Sequence, residues 1–331
     1  MTPELLGELA TEQGIRLPPS LLNGVPVSVE NDKRGWFRFQ RLYDAARAVV
    51  RSEATMRRVL DAAAANDAAE GSKRMEIQID PTSYAPFVGG ITPALEIVLD
   101  EAATASAKHG IEVGVIVAAS RVRHPLEART LARLAAKFAG VAPGQVIGFG
   151  LSNDERTGHT KEFEPAFRIA RAAGLAAVPH SGELRGPRHV ENVLDFLNPT
   201  RLGHGVRASE NEEVLARIVE DEIALEVCPA SNVALGVYPT LAEVPLPQLV
   251  AAGATVALGA DDPLLFGSRL NAQYESAREV FGFSDAKLAK LASDSIQASL
   301  ASPTQKQEWQ KEVQAWLQTT PPVILRGGRS P

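Results

Sequence analysis

IEVGVIVAAS, residues 111–120, decides the fold: after Glu112 it runs through β-branched and small apolar side chains without a polar break until Ser120. A strand with one face in water alternates apolar and polar residues. A continuous run marks a strand covered on both faces, as in a parallel sheet flanked by helices. The flanks agree. PALEIVLDEAATASAKHG (93–110) precedes it and LEARTLARLAAKFAG (126–140) follows, both with helical spacing of apolar residues and both closing on Gly. FEPAFRIARAAG (163–174) repeats the pattern. Six further short apolar runs predict strands: RMEIQID (74–80), QVIGFGL (145–151), LAAVPHSG (175–182), RLGHGV (201–206), IALEVCPAS (223–231) and TVALGADD (255–262). Strands alternating with helices predict an α/β, TIM-type (β/α)8 barrel.

Seven strands are visible where a closed barrel has eight. The missing one is the first. Thr2-Pro3-Glu4 reads as N-cap, first helical residue and an acid suited to the helix dipole, followed by apolar Leu5, Leu6 and Leu9. The chain therefore opens on the helix that should follow a first strand. VPVSV (25–29) is the alternative strand, but its Pro26 and polar flanks favour a loop. Residues 1–318 are read as one barrel domain and 319–331, rich in Pro and Gly, as a loosely held tail.

Composition bounds the function. Apolar residues make up 45% of the 331 and aromatics 5%, the balance of an Ala/Leu/Val-packed enzyme. A net charge of −6 with no Lys/Arg stripe argues against nucleic acid as a partner. Cys228 is the single cysteine, so no internal disulfide forms. No apolar run approaches the roughly 18 residues that cross a bilayer, and no signal peptide is visible. The expectation is a cytoplasmic protein without a membrane partner.

In barrels of this kind reacting groups gather at the carboxyl ends of strands. Here His180 and Glu183 stand in HSGE, His204 in RLGHG, and Asp261 with Asp262 in GADDP. Taken singly, each has an ordinary explanation: a hydrogen-bonded histidine, an Asx turn. Together they require three coincidences of position. Imidazole and carboxylate suit a borderline divalent ion such as zinc, which makes a bound water nucleophilic near neutral pH. Of two consecutive aspartates on a strand end, the pleat sends one side chain each way, one to metal and one to substrate.

PHSGE, RLGHGVR, LEVCPASN and LGADDP, in this order and spacing, resemble the adenosine deaminase family of metal-dependent barrel enzymes, with the likeness running from about Thr2 to about Trp316. The resemblance implies hydrolytic deamination of adenosine to inosine and ammonia, a purine nucleoside as partner and one zinc ion as cofactor. It implies His180 and Asp261 as zinc ligands and Glu183 as proton donor to ring nitrogen 1. His204 would orient or deprotonate the water, and Asp262 would bond ring nitrogen 7. LEVCPASN would be a structural turn, with Cys228 packed rather than reactive.

The chain departs from the family in two places. The family's first strand ends in His-x-His, two further zinc ligands. This chain has six histidines, the earliest His109, and no His-x-His. A start placed too far downstream accounts for the missing strand and ligands together; divergence to a metal-free, purine-binding barrel is the competing account. Either way zinc binding is expected to be weakened, and the chain to be unstable and nearly inactive. The second departure is GFGLSNDE (148–155), where the family has Asp at Gly150 and Gly at Asn153. Asn153 is a candidate substrate-binding residue, pointing either to a tolerated loop variant or to another aminopurine such as adenine or a modified adenosine. Asp80 and Tyr84 are candidates for the substrate entrance.

Overall fold

The computed structural model describes residues 1–319. Of the tail expected from Thr319 onward, all but that first residue lies outside the described residues. The strands are β1 (Arg74–Ile79), β2 (Glu112–Ser120), β3 (Val146–Ser152), β4 (Ala176–Ser181), β5 (Arg201–His204), β6 (Ala224–Val227) and β7 (Val256–Leu258). They form one sheet in sequence order, each parallel to its neighbours. Helices return the chain between them, as parallel pairing demands. Among the described residues β7 and β1 are not paired, so the sheet curls into an open seven-stranded barrel. The expected α/β barrel lacking one strand is what the chain forms.

Val25–Val29 is a loop, tied down by Val27 N–H to the Leu265 carbonyl at 2.8 Å and Val29 N–H to that of Ala234 at 2.9 Å. Thr2 caps the helix Pro3–Glu12, its hydroxyl accepting the Leu5 N–H at 3.3 Å. Gly110 and Gly174 close their helices with left-handed backbone as expected. Gly140 does not: the helix Pro125–Lys137 ends on Phe138, two residues earlier. A second correction concerns the aspartates. β7 stops at Leu258, so Asp261 and Asp262 lie in the loop beyond it and the strand pleat does not place them. Asp261 instead takes a left-handed φ of 55°, and Asp262 stands at the N-cap of the short helix Pro263–Phe266.

Outward strand residues such as Val113, Val115, Val117, Phe149 and Leu151 pack under the helices in one continuous core. The barrel lumen is different. Its apolar part is small: Ile116, Ile147, Ala176 and Val178, with Leu300 against them. Below that lies a buried ion network. Arg201 reaches Glu76 at 2.6 Å and Glu226 at 2.8 Å, while Arg74 reaches Glu76 at 2.6 Å and Glu112 at 2.8 Å. The Leu300 N–H donates to Glu76 at 2.8 Å, and Arg201 donates to the Ala298 carbonyl at 2.9 Å. The segment following the helix Asp285–Ala298 is thus fastened to the lumen by charge-assisted bonds, which outrank neutral ones in strength. This network anchors the strands whose opposite ends carry the site.

Candidate active site

His180 projects inward from β4, and its imidazole lies on Gly203 of the paired strand β5. A Cβ at position 203 would stand 3.0 Å from the ring, so any larger residue there would press on the imidazole. His204 ends β5 with a left-handed φ of 67°, unusual for a histidine, and the turn brings its ring to 5.1 Å from that of His180. The His204 Nε2 stands 3.5 Å from a Glu183 oxygen and 3.9 Å from an Asp261 oxygen. Four residues from three loops and strand ends therefore meet. They line a cavity of about 1820 Å³ together with Asp262 and Asn153. Asp80 and Tyr84 line it as well, although the Asp80 carboxylate is engaged with the Thr82 N–H at 3.0 Å.

Burial sets the proton states. Burial and the neighbouring His204 and Arg121 push the His180 imidazole down to about 3, so it is neutral at physiological pH. Glu183 is pushed up, by burial first and by Asp261 and Glu155 after it, with His204 opposing. Asp262 is raised by burial and by the charge of Asp261. Burial disfavours the charged form of His204, but Glu183 and Asp261 outweigh it and hold its pKa above the ordinary value. Burial thus shifts both Glu183 and Asp262 toward the protonated form.

His204, Cys228 and Asp261 offer donor atoms within 4.8 Å of one another. The Nδ1 atoms of His180 and His204 are buried with no hydrogen-bond partner among the described residues. Neutral imidazole and carboxylate on one cavity wall fit a borderline divalent cation in kind. In number they fall short of the set the family resemblance implies, since only His180 and Asp261 of it are present. Cys228 is packed, as expected, yet its sulfur borders this cluster.

Gly150 and Asn153 gain explanations. A Cβ at Gly150 would lie 3.0 Å from Gln78 Oε1 and 3.1 Å from the Val178 carbonyl, so Gln78 from β1 takes the space of a larger residue there. Asn153 has φ 77°, a region asparagine tolerates, and its own Oδ1 accepts the Asp154 N–H at 2.8 Å. The residue that sequence reading overlooked is Glu155. It is 2% exposed and takes three backbone N–H groups from the turn after His180. The visible signal was an acid closing the SNDE segment at a strand end.

An open barrel of parallel strands with imidazoles and carboxyls at its carboxyl-terminal mouth defines a hydrolase of the amidohydrolase kind. The family model for adenosine deaminase matches residues 1–316, and the chain belongs to that family. A relative from Streptomyces virginiae, provisionally named adenosine/adenine deaminase, is 52% identical over 318 residues, covering 96% of this chain and 93% of the relative. Among solved structures, the adenine deaminase of Arthrobacter aurescens superposes with a TM-score of 0.87 at 30% identity, covering 96% of this chain and 95% of that one. An amidohydrolase of Burkholderia ambifaria with bound zinc shares the fold, with a TM-score of 0.81 at 22% identity over 96% of this chain and 87% of the other. The chain is thus a hydrolytic deaminase by family. Among the described residues no helix is long and apolar enough to cross a membrane.

Proposed function

We propose that the chain removes the 6-amino group of an aminopurine by hydrolysis, taking adenine in preference to adenosine, the substrate expected from sequence. The carrying observation is the meeting of His180, Glu183, His204 and Asp261 on the wall of one cavity that Asp262 also lines. Purine nitrogens 1 and 7 are acceptors, and each needs a donor. Glu183 gives its proton to ring nitrogen 1, which makes carbon 6 electrophilic. Asp262 donates a hydrogen bond to nitrogen 7 and sets the ring's orientation. His204, placed between Glu183 and Asp261, orients the attacking water and receives its proton. The water oxygen bonds to carbon 6, His204 passes the proton it received to the amino group, the carbon–nitrogen bond breaks as ammonia leaves, and the carbon 6 hydroxyl returns a proton to Glu183 as the carbonyl forms. A divalent ion, zinc by the family likeness, would be held by His180 and Asp261 and would supply the acidity that makes a water nucleophilic near neutral pH. Adenine is favoured over adenosine because the Arthrobacter relative is named for the free base and the Streptomyces relative for either.

The test is ammonia release from adenine and adenosine in buffer with added zinc. Adenine is expected to show the higher kcat/KM; a higher value for adenosine reverses the substrate assignment, and no release from either removes the proposed activity. Chelation is expected to stop turnover and re-addition of zinc to restore it.

Asn153 lines the cavity, and in this reading its side chain discriminates between the two substrates. Asn153→Gly removes the side chain at the rim, and the backbone already adopts a conformation glycine favours. The ratio of adenosine to adenine kcat/KM is expected to rise by about tenfold, the scale of one altered pocket contact. An unchanged ratio assigns the loop a structural role only.

A further inference from the structure

The turn that carries Glu183 is held by three side chains that do not line the cavity. Arg121, at the end of β2, donates to the His180 carbonyl at 2.9 Å. Arg207 donates to the Leu184 carbonyl at 2.9 Å. The third grip is Glu155, beyond the end of β3. Its Oε1 accepts the Glu183 N–H at 3.1 Å, and its Oε2 accepts those of Leu184 at 3.0 Å and Arg185 at 2.7 Å. Three consecutive amides converging on one carboxylate form an anion-holding concavity. Here the anion is supplied by the protein itself, from a segment 28 residues away in sequence at Glu183.

We propose that Glu155 is the positioning residue for Glu183: its carboxylate fixes the backbone of residues 183–185 and so holds the Glu183 side chain at the place where the ring nitrogen takes its proton. The inference rests on Glu183 being the proton donor. Its physical basis is geometric. Glu155 is buried and spends both oxygens on the turn, so the turn cannot shift without breaking hydrogen bonds where burial keeps water from replacing them. His189, bonded through Nδ1 to the Ser181 hydroxyl at 2.9 Å, places that nitrogen 3.9 Å from Glu155 Oε2. A proton donor displaced by about 1 Å loses about 10²-fold in rate.

The test is a double-mutant cycle. Glu155→Gln conserves volume but turns an amide N–H₂ toward the backbone N–H groups. It is expected to lower kcat about 10²-fold with KM little changed, and to speed hydrogen exchange at amides 183–185. Placed in a Glu183→Gln background, it is expected to cost nothing further, because the group it positions has already lost its proton. Glu155→Asp keeps charge and acceptors on a shorter stem; it is expected to lie between Gln and the unaltered protein, and it decides the matter should the Gln variant not fold. A full additional rate loss in the Glu183→Gln background overturns the proposal, as do unchanged kcat or unchanged exchange at 183–185. Should Glu183→Gln itself turn over at the unaltered rate, the proton-donor reading falls first and takes the positioning role with it.

Discussion

Glu183→Gln is expected to lower kcat for purine deamination by about 10²–10⁴-fold while leaving KM within a small factor, the scale of a removed general acid. The amide has the carboxyl's shape and still offers an N–H to ring nitrogen 1, so ground-state binding survives. It cannot release a proton, so the ring stays unprotonated and carbon 6 stays a poor electrophile. A loss confined to kcat marks an interaction made only in the transition state. Zinc content should match that of the unaltered protein, because the carboxyl is assigned to substrate and not to the ion. A Gln variant with undiminished kcat removes Glu183 from the chemistry.

The same residue sets a pH dependence with a definite sign. Burial, then Asp261 and the other nearby acids, raise the Glu183 pKa above the usual carboxylate range against the pull of His204. The protonated form is the active one, so activity persists through neutral pH and falls as pH climbs through the elevated value. In the Gln variant the residual rate should lack that alkaline limb. Stability runs the other way. A carboxyl whose folded pKa exceeds its unfolded one costs stability once pH rises above the unfolded value, so Glu183→Gln should unfold at an equal or higher urea midpoint at neutral pH. A group that costs stability where it sits is a common mark of function.

The strands and the site were legible to different depths. The strands could be read as short apolar runs, continuous where both faces are buried, as in residues 113–119, and alternating in RMEIQI of β1. His180, His204, Glu183 and the aspartates could be read because they are ionisable residues at the ends of such runs. The aspartates' placement could not, since nothing in GADD marks where pairing stops, and β7 ends at Leu258. Glu155 was hidden for another reason: its partners are backbone N–H groups, which every residue but proline carries and no sequence displays. Glu76, Arg201 and Glu226 were hidden by geometry. Each stands in a strand whose alternate residues are apolar, and a period of two does not say which face is the lumen and which lies under the helices.

That lumen carries the second large effect. Arg201→Met is expected to destabilise the fold by about 3–5 kcal/mol at neutral pH, the range for breaking a buried ion pair from one side. The Arg201 side chain is 6% exposed and bridges two acids, so its loss strands negative charge rather than exchanging it for water. The two acids are not equivalent. Burial works against the Glu76 charge, but Arg201, Arg74 and the Leu300 N–H more than offset it, leaving the pKa lowered. For Glu226 burial prevails: Arg201 and, less, His204 favour its charge, Glu76 repels it, and its pKa is raised. Without Arg201 the uncompensated group is therefore Glu226, which escapes the penalty by taking a proton. It follows that the destabilisation should shrink on acidification, since below the unfolded carboxylate pKa Glu226 is protonated in both states. Adding Glu226→Leu to Arg201→Met should recover part of the loss, because a buried charge is replaced by an apolar group of similar size. Urea unfolding of the single and double variants at neutral and acid pH measures all three. A neutral-pH cost of only about 0–1 kcal/mol, as for an exposed pair, would mean that water reaches the lumen through the open side of the barrel and that the network does not hold the strands beneath the site.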